Sequence, residues 1–177
     1  MAEPTILNQL EPGEYQPYFQ PYLDLAGDGD IMGLLAEQTL DVHKAFESLD
    51  AETAETVHEP YSWTLKQVIG HLIDEERIFG CRAHRIGSSE NQPLPGFDQD
   101  LLVANSDYNE VALDSLIEEF VLLRKSNIML FDRMSADMWR QVGDCDGKKI
   151  SVRAIAFLLA GHANHHLTIV KKRLGAS

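Results

Sequence analysis

Three histidines, His71, His162 and His166, stand where helical geometry would turn imidazoles inward. Placed at about 100° per residue, His162 and His166 fall within about 20° of the centre of the apolar stripe that starts at Ile155, whereas His165 lies about 80° away. His71 lies on the stripe that runs from Val68 through Leu72 to Phe79, with Glu75 one turn beyond it. A lone inward histidine is most often a core side chain hydrogen-bonded to its surroundings. A pair at i, i+4 is harder to satisfy, because charged rings are costly to desolvate and neutral rings need partners for both nitrogens. A divalent ion satisfies one nitrogen on each ring, and the spacing lets both rings reach one point. With His71 as the third ligand, a position stays open for water or substrate, as in a catalytic site. A ligand set in which Glu75 replaces His71 is the alternative on the same face.

The remaining polar signals are weaker. Asp74 and Glu76 point away from the stripe and are expected on a solvated face. His165 is expected at the periphery, bonded to a surface carboxylate. Arg124 flanks the centre of another stripe, with Phe120 and Asn127 nearby. A guanidinium there stays charged and needs a buried partner, for which Glu75 is a candidate. Two readings of Arg124 stay open: a structural ion pair, or a site residue binding an anionic substrate group or a metal-bound thiolate. No serine sits in a strand-turn-helix elbow, no glycine-rich phosphate loop is present, and nothing near Cys81 would lower its pKa. Cys81 and Cys145 are expected as two reduced thiols.

The elements that must position these residues are four long helical segments. The periodicity predicts helices over 28–49, over 63–86 with Ser62 as N-cap and Gly87 closing, over 110–134, and over 152–174 after Ser151. Segment 50–61 is a polar connection with Pro60, and 144–149 (DCDGKK) carries an Asp-Gly turn signal. The connection 87–109 is long, with a helical turn expected near 99–104, and it can run back along the bundle. The stretch 1–27, with Pro4, Pro12, Pro17 and Pro21 among aromatic residues, is expected as an extended arm packed on a single bundle domain spanning 28–177. The fold class is all-α.

The 177 residues suit one domain, and a 44% hydrophobic, 24% charged composition is that of a globular protein. A net charge of −13 disfavours nucleic acid as a partner. No apolar run approaches the roughly 20 residues that span a bilayer, and no secretory leader pattern is seen, so the cytoplasm is the expected compartment, without a membrane partner. Tyr15, Tyr18, Phe19 and Tyr22, beside apolar residues of the long connection, suggest a self-complementary patch and a homodimer.

The string from Ser62 to Glu76 (SWTLKQVIGHLIDEE), followed by Gly161 to His166 (GHANHH), resembles the DinB-like (DinB/YfiT) superfamily. Gly29-Asp30-Ile31, Phe97-Asp98-Gln99-Asp100 and Arg124 support the likeness, which covers the chain beyond the arm. The resemblance implies a four-helix bundle of up-down-down-up topology and a metal triad that carries over to His71, His162 and His166. It also implies a metal-dependent hydrolase, or a transferase using a low-molecular-weight thiol, acting on a small-molecule substrate. The expected cofactor is one divalent ion, zinc first, with nickel, manganese or iron as alternatives. Glu75, one turn from His71 on the same face, is the candidate general base or a residue that orients the metal's surroundings, and Arg124 is the second candidate catalytic residue. A non-catalytic bundle with a structural metal is the competing reading, and a vestigial bundle without metal stands third.

Overall fold

The computed structural model describes residues 10–90 and 92–175, so Pro4 of the predicted arm lies outside the described residues. The four expected helices are present: α1 (Ile31–Glu47), α2 (Leu65–Gly87), α3 (Leu113–Asp132) and α4 (Val152–Arg173). The starts of α1, α2 and α4 are fixed by side chains that satisfy otherwise unpaired backbone N–H groups. Asp30 caps α1 by accepting from the Gly33 amide, and Ser151 caps α4 by accepting from that of Ala154. The cap of α2 is Thr64, two residues beyond the expected Ser62. Thr64 forms a reciprocal capping box with Gln67, an arrangement that the exposed Ser62 does not make.

Named contacts give the directions of the helices. Arg77 meets Glu119, Gly80 lies against the Asn127 side chain and Gly87 against Met134 just past α3, so residue numbers rise together and α2 and α3 are parallel. Gln38 meets Arg124, while His43 and Glu47 share a cleft with Asp114 and Ile117, so α1 and α3 are antiparallel. A Cβ on Gly87 would lie 3.6 Å from Val152, and His71 meets His162, so α2 and α4 are antiparallel. The result is the up-down-down-up bundle, and its parallel α2 and α3 require the long return connection. That connection carries a short helix (Gln99–Asn105), as expected.

The smaller elements differ from the sequence reading. A β-hairpin, β1 (Val142–Cys145) with β2 (Lys148–Ser151), is built around the Asp-Gly turn signal of 144–149, where the sequence reading placed no strands. Asp146 and Gly147 form its two-residue turn with φ of 58° and 73°, the left-handed pair that such a tight hairpin needs. The arm is partly helical rather than extended, with turns at Pro17–Phe19 and Gln20–Leu23. It is tied to the hairpin by the Ser151 amide donating to the Glu14 carbonyl (2.7 Å) and to α4 by a buried ion pair between Arg153 and Glu14.

Two apolar clusters fill the bundle, one around Ile31, Leu35, Phe79, Phe131, Trp139 and Ile155, the other around Val42, Phe46, Ile69, Leu116, Phe120 and Val170. Each fully buried side chain of this size contributes about 1.5–3 kcal/mol of hydrophobic stabilisation. Between the clusters lies a polar layer that contains the functional candidates. Among the described residues, no helix is long and apolar enough to cross a membrane.

Candidate metal centre

Helices α2 and α4 bring the predicted histidines together. His71 is 1% exposed, His162 7% and His166 8%, so all three rings are withdrawn from solvent. The Nε2 atoms of His71 and His162 are 3.0 Å apart, and those of His166 and His162 are 3.2 Å apart. A tetrahedral ion with metal–nitrogen bonds of about 2.0–2.1 Å would place its nitrogens about 3.3–3.4 Å apart, close to this spacing. The rings cannot satisfy one another instead. A neutral imidazole has one N–H, and His162 Nε2 faces two neighbours with one nitrogen. The buried Nδ1 atoms of His71 and His166 have no hydrogen-bond partner among the described residues. A divalent ion on the Nε2 side would put the ring proton on Nδ1 in both.

Electrostatics prepare the rings for a metal. Burial, then the neighbouring imidazoles, lowers the pKa of His71 to about 4 and that of His166 to about 3. Burial, aided by His166 and His71, takes that of His162 well below the usual value. All three rings are therefore neutral at neutral pH, the form that donates a lone pair to a metal. Glu75 is outside the convergent set, so the ligand set with Glu75 in place of His71 is not the one that the fold assembles. It lines a cavity of about 510 Å³ together with His162, and burial raises its pKa to about 8 despite the opposing charge of Arg82.

The local sequence explains this placement. Gly161 precedes the first α4 histidine, and a Cβ there would lie 1.7 Å from the Tyr22 carbonyl oxygen. Only glycine lets the arm sit so close, and it brings the Tyr22 ring to 5.4 Å from His162. Trp63 covers the other side, with its ring 5.0 Å from His71. His165 is half-buried against Tyr22 and His166, and among the described residues it has no carboxylate partner, contrary to expectation.

Arg124 is placed differently from its functional reading. It is fully buried and does not line the cavity. Its ion-pair partner is Glu76, at 2.7 Å, not Glu75. Glu76, expected on a solvated face, is 2% exposed and also accepts from Asn127 Nδ2 at 2.8 Å. Arg124 Nη1 donates to Gln38 Oε1, and Gln38 Nε2 donates to the Ala160 carbonyl and to Asn164 Oδ1, each at 2.7 Å. This network joins all four helices directly behind the histidines. Gln38 was missed, although its place between Leu35 and Val42 on the α1 stripe was the available signal. Replacing Arg124 by Met is expected to lower the unfolding free energy by about 3–5 kcal/mol, because Glu76 would stay buried without its counter-charge. Urea denaturation should show this loss, and adding Glu76→Leu should recover most of it.

Comparison with known proteins agrees with this architecture. Over 78% of its length the chain is 30% identical to a protein of Oceanobacillus iheyensis named "putative metal-dependent hydrolase", of which 76% is covered. The fold matches that of YfiT from Bacillus subtilis, described as "a probable metal-dependent hydrolase with an unusual four-helix bundle topology". That match has a TM-score of 0.74 at 17% identity and covers 98% of this chain and 99% of that one. The family model of the DinB superfamily matches residues 34–170. The chain therefore belongs to the DinB superfamily.

Proposed function

We propose that the protein is a metal-dependent hydrolase of a small-molecule substrate, its divalent ion held by His71, His162 and His166. The observation that carries this reading is the convergence of three buried Nε2 atoms beside a cavity large enough for a ligand. When bound, the ion supplies Lewis acidity that makes water nucleophilic near neutral pH. The imidazoles hold the ion and stay neutral. Glu75 lies on the cavity wall, where burial raises its pKa to about 8 and the charge of a bound ion would bring it back down, which suits it to take a proton from the attacking water and return it to the leaving group. Phe79, Leu158 and Tyr22 keep the inner wall apolar and limit water.

Three imidazole donors suit zinc first, with nickel or iron next and manganese, which prefers oxygen donors, last. A low-molecular-weight thiol could take the place of water, giving a transferase; a volume of about 510 Å³ has room for such a cosubstrate. Homodimerisation remains part of the proposal in reduced form. Phe19 is buried in the protein's own core, leaving Tyr18 and Leu25 on the arm and Phe97 and Leu101 on the long connection as the exposed large apolar residues of these segments among the described residues. The test is hydrolysis of a panel of small esters and amides by untagged protein. Activity should vanish with a chelator and return with zinc. Activity that survives complete metal removal would refute the reading.

A further inference from the structure

Among the described residues, the buried lysine and arginine side chains come with carboxylates, with one exception. Arg124 pairs with Glu76, Arg153 with Glu14 and Lys66 with Glu55. Arg82, on α2, is 7% exposed and has no ion-pair partner among the described residues. Its Nη2 donates to the Pro95 carbonyl at 2.7 Å, and its guanidinium lies 4.8 Å from the centre of the Phe79 ring and 5.2 Å from that of Phe97. These contacts fix the orientation of the group without neutralising it.

Arg82 lines the same cavity as His162 and Glu75; its charge opposes the rise in the Glu75 pKa but the two groups form no ion pair, and the two aspartates of that wall are engaged elsewhere. Asp146 is paired with Lys148 at 2.8 Å. Asp98 accepts from the amides of Asp100 and Leu101, at 3.0 and 3.1 Å, as the cap of the short helix. A buried charge without a counter-charge costs folding free energy, and a ligand that brings the counter-charge removes that cost.

We propose that Arg82 is the anion-binding residue of the cavity, and that the substrate carries a carboxylate or phosphoryl group which the guanidinium holds with charge-assisted hydrogen bonds. The inference rests on the hydrolase reading above. It adds the substrate class: a small anionic ester or amide. Arg82 follows Glu75 by seven residues, about 10 Å along the helix axis. The substrate therefore spans that interval, with its charge at Arg82 and its scissile bond beside Glu75 and His162. The planar fork of arginine suits both oxyanions.

The test is calorimetric titration of the full-length protein, metal-loaded and after chelation, with phenyl phosphate, benzoate and neutral benzyl alcohol. Both anions should bind at least about tenfold more tightly than the alcohol in both forms. Arg82→Met, which keeps the apolar stem, should remove that preference without lowering the melting temperature. Arg82→Lys should weaken phenyl phosphate binding by about fivefold, because the fork is lost. Lys148→Met should change it by less than about twofold, since that cation is already paired. The proposal is overturned if wild type shows no preference for the anions, or if the preference disappears on chelation. It is equally overturned if folded Arg82→Met, or Arg82→Lys should the first not fold, binds phenyl phosphate like wild type. Arg82-dependent binding in a protein that takes up no divalent ion when supplied with one would uphold the anion site and refute the hydrolase reading instead.

Discussion

Exchange of His162 for alanine is expected to reduce bound divalent metal from about one ion per chain to background. Of the three rings, His162 has the central position, with its Nε2 3.0 Å from that of His71 and 3.2 Å from that of His166. Its removal leaves two imidazoles on different helices without the donor that links them. Alanine is a good helix former, so α4 itself should persist and the loss should be confined to the site. His165→Ala is the matched control: it also removes an imidazole from α4, but one outside the convergent set. It should keep its metal. Elemental analysis of both variants, purified untagged and without affinity metal, reads the difference. Full occupancy in His162→Ala would eliminate the proposed triad.

The second large effect is expected at Glu75. Its replacement by Gln preserves shape and hydrogen-bonding capacity but removes the proton acceptor, and it should lower kcat by about 10²–10⁴-fold with metal content unchanged. The pH profile gives an independent check. Burial holds the metal-free Glu75 pKa at about 8, so the carboxyl is largely protonated at neutral pH. The positive charge of a nearby ion favours the carboxylate, which shifts that pKa downwards. Activity should therefore rise with pH through a limb below about 8, and the limb should be absent from Glu75→Gln. Unaltered turnover in that variant would take Glu75 out of the mechanism.

The four helices and the histidine triad were legible because they rest on period and spacing. An imidazole pair at i, i+4 on an apolar stripe has few satisfactory explanations, and the fold brings it to His71. The hairpin was not legible. Its strands have four residues each and only one fully apolar inward position on β2, Ile150, so the Asp-Gly turn was the sole cue. The helical turns of the arm were hidden by Pro17 and Pro21, which suggest extended chain but stand in the first turns of short helices, where proline is tolerated. Glu76 was misplaced for a different reason. Reading burial from one stripe assumes that the opposite face meets water, yet sixteen of the 23 residues of α2 are buried. That helix packs on α3 and α4 and is covered near Gly70 by Tyr108, so its second face also needed partners. Arg124 and Asn127 supply them. The same double burial explains Arg82, which lies on a long polar-looking stretch and has no sequence cue that it is enclosed by Phe79 and Phe97.

The central claim is that His71, His162 and His166 hold one divalent ion through their Nε2 atoms. Its most direct test is an anomalous difference map from crystals of untagged protein, with data collected on both sides of the absorption edge of the metal identified by elemental analysis. The account predicts one strong peak per chain, about 2.0–2.2 Å from each of the three Nε2 atoms and open towards the cavity that Glu75 lines. No peak there, in a protein supplied with metal, or a peak held by other side chains, would contradict it.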